Sequence, residues 1–181
     1  MRLIAAGALA LATVIATPAL AQEEGTSFSG PSVTAIVGYD HVAADGDNGN
    51  GATFGGALGY DARFNNFVLG GEVEGTFATT EQCVATTCVE AGRDLYAGLR
   101  AGVVVSANSM IYVKGGYTNA RVELTDDGDT LAGNNLDGLR LGVGAEYNAN
   151  SGFLVRVEYR YSNYEADVTR HQAVLGVGYR F

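Results

Sequence analysis

Apolar and polar residues alternate along most of this chain. In the last ten residues Leu175, Val177, Tyr179 and Phe181 are apolar, and only Val174 interrupts the polar or glycine positions between them. A period of two residues is typical of a β-strand with two different faces. The same pattern recurs near residues 33–40, 54–61, 67–77, 95–103, 111–118, 139–147 and 153–161. No helical period follows residue 21, so the sequence predicts an all-β fold of eight strands.

Charged residues within the predicted strands all fall on the face opposite the apolar residues. They are Asp40, Asp61, Glu72, Glu74, Arg100, Lys114, Arg140, Glu146, Arg156, Glu158, Arg160 and Arg180. A soluble barrel would enclose the apolar face. A membrane barrel turns that face to lipid and encloses the polar one.

Aromatic residues mark both ends of the apolar face. One group lies beside the predicted short turns or the C-terminus: Tyr60, Phe67, Tyr147, Phe153, Tyr179 and Phe181. The other lies beside the predicted long loops: Tyr39, Phe54, Phe77, Tyr117, Tyr159 and Tyr161. Two aromatic girdles around an apolar band are typical of outer-membrane barrels. We therefore predict an eight-stranded antiparallel transmembrane up-and-down β-barrel, rather than a soluble barrel or sandwich.

The connections between the predicted strands alternate between short and long. Short links are expected near residues 63–66, 106–109 and 148–152, and long loops near residues 43–51, 79–92, 123–136 and 162–170. Short turns at one end and longer loops at the other are typical of barrels with periplasmic turns and extracellular loops.

The N-terminal segment has the features of an export signal. Arg2 precedes an uncharged stretch that ends in Pro18 and an Ala-x-Ala motif at residues 19–21. This pattern predicts a signal peptide over residues 1–21, cleaved between Ala21 and Gln22, rather than a spanning helix. A short segment, residues 22–31, and a barrel domain, residues 32–181, would follow.

From about Ser32 onward the chain resembles the small eight-stranded outer-membrane β-barrels of the opacity-like "porin family", which are related to the OmpA membrane domain. The resemblance rests on the strand pattern, on the sequence YVKGGY at residues 112–117 and on the ending Gly178–Phe181. It implies a location in the outer membrane of a Gram-negative bacterium. It also implies that alternate residues of the last strand signal to the barrel-assembly machinery, namely Leu175, Val177, Tyr179 and Phe181.

The charges on the enclosed face must find partners, because an unpaired charge away from water is costly. We expect the five cations Arg100, Lys114, Arg140, Arg156 and Arg160 to interlock with Glu72, Glu74, Glu146 and Glu158. An eight-stranded interior is just wide enough for side chains to fill it. This favours a plugged lumen, and a narrow channel for ions or small solutes is the alternative.

Other candidate chemistry is sparse. Cys83 and Cys88 lie in a predicted loop of an exported chain, which favours a disulfide; a zinc site is poorly supported without a nearby histidine. The acidic loops near residues 45–50 and 126–129 lack the ligand spacing of an EF-hand. We predict no catalytic, cofactor or metal site. The third alternative is a lipid hydrolase. Its first candidate catalytic residues would be Ser162, Asp167 and His171.

The overall charge limits the partners. Eleven Lys and Arg residues against twenty Asp and Glu residues give a net charge of −9, so binding to nucleic acid is not expected. The expected partners are outer-membrane lipid and lipopolysaccharide, the assembly machinery, and an extracellular ligand held by the loops. The sequence thus predicts a non-enzymatic outer-membrane protein with a structural or surface-interaction role.

Overall fold

The computed structural model describes residues 28–44, 47–79, 81–84, 87–126, 129–165 and 168–181. The predicted signal peptide, its cleavage site between Ala21 and Gln22, and most of the segment 22–31 lie outside these residues. Within the described part there is no helix long and apolar enough to cross a membrane.

Nine strands make up the described chain. Their bounds are β1 Gly30–Ala44, β2 Asp47–Phe64, β3 Phe67–Ala78, β4 Glu81–Val84, β5 Thr87–Ser106, β6 Ser109–Asp126, β7 Asp129–Asn148, β8 Phe153–Tyr164 and β9 Thr169–Arg180. Eight of them form one closed antiparallel barrel, in which β1 pairs with β9 and β3 pairs with β5 across the short β4. The predicted eight-stranded barrel is confirmed.

The two ends of the barrel differ, as expected, in the length of their connections. Turns at residues 65–66, 107–108 and 149–152 join the strands at one end, which we call the short-turn end. Positive φ angles of 56° at Asn65 and 85° at Gly152 suit residues that tolerate left-handed backbone. The opposite end is called the loop end.

The long connections differ from the sequence-based prediction. Residues 123–136 were expected to form a loop, yet β6 and β7 pair through most of this stretch, and β4 pairs with β5 inside the predicted loop 79–92. The backbone ladder thus runs past the end of the alternating pattern. Hydrophobic residues alternate with polar ones only where the two faces of a strand meet different surroundings. A pair of strands that extends beyond the membrane has water on both faces, so it shows no such alternation.

The apolar face of the barrel is turned outward. Leu99 and Leu139 expose 74% and 69% of their surface, and both predicted girdles lie on this face, with Tyr161 alone half-buried. The glycines of the opposite face make room inside. A Cβ at Gly176 would lie 2.7 Å from Cγ of Arg156, and one at Gly144 would lie 2.7 Å from Cζ of Tyr112. Long polar side chains therefore lie directly over glycine backbone.

Candidate functional site: the charged lumen and the loop-end rim

Seven acidic and seven basic side chains lie buried in the lumen of the described barrel. They are Asp40, Asp61, Glu72, Glu74, Asp94, Glu146 and Glu158, with Arg100, Lys114, Arg140, Arg156, Arg160, Arg170 and Arg180. The period of two residues directs all of them to one face of the sheet. Equal numbers of the two signs make this set electrically neutral. Its ion pairs group into three tiers along the barrel.

The tier nearest the short turns is a closed square of four side chains. Arg100 binds Asp61 through Nε at 3.1 Å and Glu146 through Nη2 at 2.9 Å. Arg180 binds the same two carboxylates, with distances of 2.8 Å to Asp61 and 2.7 Å to Glu146. Each guanidinium thus bridges two carboxylates and each carboxylate bridges two guanidinium groups, so the tier is neutral.

The central tier is built around Lys114. Its Nζ lies 3.0 Å from Oε1 of Glu72, 2.5 Å from Oε1 of Glu74 and 2.8 Å from Oε1 of Glu158. The lysine side chain is fully buried. An ammonium group has three N–H donors, so all three are directed at carboxylates here.

Two arginines complete the central tier. Arg156 pairs with Glu72 and lies 3.5 Å from Glu74. Arg160 donates from Nη2 to Glu74 at 2.8 Å and pairs with Glu158. With Lys114, the tier holds three cations and three anions, and none of these side chains exposes more than 2% of its surface.

The tier nearest the loops joins Asp40 and Asp94 to two arginines. Arg170 donates from Nε and Nη2 to the two carboxylate oxygens of Asp40, at 2.6 and 2.7 Å. Its Nη1 reaches Oδ2 of Asp94 at 2.8 Å, and Arg140 pairs with the same oxygen. The bidentate fork matches the planar carboxylate and fixes its orientation.

Tyrosine rings pack among the ion pairs. The guanidinium carbon of Arg100 lies 4.6 Å from the ring centre of Tyr112, and Nζ of Lys114 lies 4.7 Å from that of Tyr96. These are cation–π distances. The Tyr112 hydroxyl also donates to Oε2 of Glu158 at 2.7 Å. The tyrosine rings therefore pack between the charged side chains of the lumen.

A small apolar cluster packs inside the barrel at the short-turn end. Phe28, which precedes β1, is fully buried and packs with Val68, Met110 and Tyr112. The backbone N–H of Arg63 donates to the hydroxyl of Ser29 at 3.0 Å, which ties the segment before β1 to β2. The sequence pattern gave no sign of this cluster, because Phe28 lies outside the alternating segments.

All nine residues of the predicted lumen network lie in these tiers. The sequence analysis did not include Asp40, Asp61, Asp94, Arg170 and Arg180 in the network. Extending the alternation of β9 by one step would have placed Arg170 on the inner face, and the same step in β5 would have found Asp94. Arg140 was expected to pair with a glutamate; its shorter contact is to Asp94, and its Nη1 lies 3.6 Å from Glu74.

The other candidate residues lie in different surroundings. Ser162 is buried in the lumen and accepts from Nε of Arg140 at 2.8 Å, whereas His171 lies on the outward face of the sheet. The barrel wall separates these two side chains, so the candidate Ser–His pair for a lipid hydrolase does not form. Asp167 lies outside the described residues.

The two cysteines and the C-terminal strand were also singled out by sequence. The backbone register places Cys83 directly opposite Cys88 in the β4–β5 ribbon. The disulfide stays a prediction, since the side chains of this ribbon are outside the described set. The residues of the expected assembly signal all point outward from β9 or its end: Leu175, Val177, Tyr179 and Phe181.

A closed eight-stranded barrel with an apolar outer face, two aromatic girdles and a polar interior is the architecture of small outer-membrane proteins. The family model of the outer membrane protein beta-barrel domain matches residues 7–181, and the chain belongs to this family. The family resemblance drawn from the sequence and the location in the outer membrane are thereby confirmed. A search of curated proteins finds no match.

Three solved bacterial proteins illustrate the similarity of fold. Ail, the attachment invasion locus protein of Yersinia pestis, is 20% identical, with a TM-score of 0.61, covering 84% of this chain and 99% of that one. Neisserial surface protein A is 16% identical, with a TM-score of 0.67 and coverages of 84% and 98%. The N-terminal barrel of Pseudomonas aeruginosa OprF is 15% identical, with a TM-score of 0.54 and coverages of 85% and 99%. At these identities the likeness concerns the fold.

Proposed function

We propose that this protein is a non-conducting outer-membrane anchor that presents its loops at the cell surface. The observation that carries the proposal is the division of the lumen charges into three neutral tiers, which longer contacts of Arg100 to Glu72 (3.8 Å) and of Arg140 to Glu74 (3.6 Å) join into one paired network. A pore that selects ions by charged side chains presents a ring of one sign to the permeating ion. A neutral, mutually paired set offers no such excess.

The energetics of the tiers support a filled lumen. An ion that moved along the axis would have to displace the contacts of Lys114 and of both flanking tiers. Breaking one buried pair by removing a partner costs about 3–5 kcal/mol, because the remaining charge is left without compensation. Several such steps in series form a barrier to conduction.

The lumen set has no net charge, whereas the loop segments have an excess of acidic residues. Outside the lumen set, eleven acidic residues but only two basic residues, Arg93 and Arg121, fall in the sequence segments that connect the loop-end girdle residues. The acidic set is Asp45, Asp47, Glu81, Glu90, Glu123, Asp126, Asp127, Asp129, Asp137, Glu165 and Asp167. Complementary charge steers association and suppresses wrong partners. A positively charged surface or peptide is therefore the ligand class that these loops fit.

One of the structural neighbours shows a contrasting ligand. Ail has been crystallised in complex with the heparin analogue sucrose octasulfate, a polyanion. The acidic loops of this chain would repel such a ligand. We therefore expect the loops of this chain to select a different class of partner from the polyanion bound by Ail.

The lumen part of the proposal is tested by single-channel recording of refolded protein in a planar bilayer. The expected result is silence from protein whose folding is verified by its gel mobility with and without heating. The variant Lys114→Ala, which opens the central tier, is the matched comparison. Discrete conductance steps in the wild type that change in the variant would overturn the filled-lumen proposal and establish a channel.

The loop part is tested by binding to protein embedded in nanodiscs, with polylysine and heparin as the two probes. Polylysine is expected to bind in a salt-sensitive manner and heparin is expected not to bind. The triple variant Asp126→Asn, Asp127→Asn, Asp129→Asn should bind polylysine more weakly. Heparin binding, or polylysine binding that the triple variant leaves unchanged, would contradict the proposed partner class.

A further inference from the structure

The two histidines of the chain meet on the outward face of the barrel. His41 in β1 and His171 in β9 are directly opposite each other in the antiparallel register. Their ring centres lie 6.4 Å apart. These are the only histidines in the sequence, and the pair forms where the first and last barrel strands close the sheet. Both are half-buried and lie one outward-facing step beyond the girdle residue Tyr39 and its register partner Ala173.

Each imidazole is held through its Nδ1 atom. Nδ1 of His41 lies 2.7 Å from the amide oxygen of Asn50, which also accepts from the hydroxyl of Tyr39 at 2.7 Å. Nδ1 of His171 lies 2.6 Å from the hydroxyl oxygen of Tyr159. An imidazole that donates its Nδ1 hydrogen to an oxygen carries its free lone pair on Nε2. In the tautomer in which both Nδ1 atoms donate, the two Nε2 atoms are the available ligands.

This arrangement matches the surroundings of histidines that bind metal ions. Such histidines almost always donate their second ring N–H to an oxygen, which fixes the tautomer and the orientation of the ring. Asn50 and Tyr159 supply that oxygen for His41 and His171, respectively. The ring of Tyr161, centred 5.1 Å from that of His171, packs on the far side and limits its movement.

The spacing of the rings suits one shared ion. A Zn–N bond of about 2.0–2.1 Å places each ring centre about 3.2 Å from the metal, so two rings on one ion have centres about 5.2 Å apart at the tetrahedral angle and about 6.4 Å apart when the two nitrogens lie on opposite sides of the ion. The observed 6.4 Å corresponds to the second arrangement, and a tetrahedral ion requires the two rings to approach by about 1.2 Å. The described residues contain no cluster of three or more His, Cys, Asp or Glu suited to a metal. Two imidazoles would therefore be the protein ligands, with water in the remaining positions.

We propose that His41 and His171 form a surface site for an imidazole-preferring transition-metal ion, Cu²⁺ or Zn²⁺, at the loop-end edge of the membrane. Imidazole suits these ions, and Cu²⁺ binds nitrogen sites more tightly than Zn²⁺ does. Hard cations such as Ca²⁺ prefer oxygen ligands, so they are not the expected occupants of a site made of two imidazoles. The site lies outside the lumen, so it is independent of whether the lumen conducts.

The test uses untagged, oxidised protein in detergent, with Cu²⁺ as the probe. Titration calorimetry gives the affinity, and electron paramagnetic resonance counts the nitrogen ligands. The wild type is expected to bind one Cu²⁺ through two imidazole nitrogens. His41→Ala and His171→Ala should each bind roughly a hundredfold more weakly, since the second ligand acts at high effective concentration, and should show a single nitrogen.

Two further variants separate this site from other ways of binding copper. Asn50→Ala removes the oxygen that orients His41 and should weaken binding by about tenfold or more while both nitrogens still coordinate. The double variant Cys83→Ser, Cys88→Ser should bind as the wild type does. Unchanged affinity in the histidine variants, or a spectrum with oxygen ligands only, would overturn the proposal. All five substituted positions lie outside the lumen tiers, and gel mobility confirms that each variant is folded.

Discussion

Removal of the Lys114 ammonium group is the most direct test of how the lumen is held together. The substitution Lys114→Ala leaves three buried glutamates, Glu72, Glu74 and Glu158, with two arginines to compensate them. All three carboxylates contact the lysine at 3.0 Å or less. The cost of leaving a buried charge uncompensated is about 3–5 kcal/mol. That is a large part of the roughly 5–15 kcal/mol by which folded domains are stable.

The assay is urea unfolding in detergent micelles, followed by tyrosine fluorescence, since the chain has ten tyrosines and no tryptophan. With an m value of about 2 kcal/mol/M, the midpoint should fall by roughly 1.5–2.5 M. Val113→Ala is the matched control, because Val113 is the next residue along β6 and faces outward with 59% exposure. Truncation of Val113 removes the equivalent of two methylene groups. It should therefore lower the free energy of unfolding by about 1.6 kcal/mol at most.

A second substitution asks whether charge balance is the cause. Glu74→Gln in the Lys114→Ala background returns the central tier to two cations and two anions. The double variant should then be more stable than Lys114→Ala alone, by about 0.5–3 kcal/mol, the range measured for coupled neighbours. An unchanged midpoint in Lys114→Ala would refute the reasoning at this residue. A double variant less stable than the single one would show that packing, not charge, dominates.

Three more predictions concern other parts of the barrel. Phe28→Ala should destabilise the protein by about 3–5 kcal/mol, measured by the same urea unfolding, because it empties the apolar cluster at the short-turn end. Gly176→Val should lower the urea midpoint and displace the side chain of Arg156, since a Cβ there meets Arg156 Cγ at 2.7 Å; an unchanged midpoint would contradict this. Protein isolated from outer membranes should give no thiol reaction at Cys83 and Cys88, and two reactive thiols would disprove the predicted disulfide.

The loop end shows where sequence reasoning about the fold stops. The strands within the membrane were predictable because lipid on one side and a polar lumen on the other impose a strict period of two residues. Beyond the girdle that difference disappears, and pairing of β6 with β7 continues without a hydrophobic signal. For the same reason the inward-facing Asp94 and Arg170 were not recognised as members of the lumen network.

The sequence by itself determined the strand number, the face of each residue and the membrane-facing band, because side-chain direction in a strand depends only on position parity. Only the tertiary structure decided which charges pair. Arg180 pairs with Asp61, and His41 lies opposite His171, although both pairs are far apart in the sequence. Barrel closure brings them together because it pairs the first and last strands in one particular register. Register relates two strands to each other, so no property of a single strand can specify it.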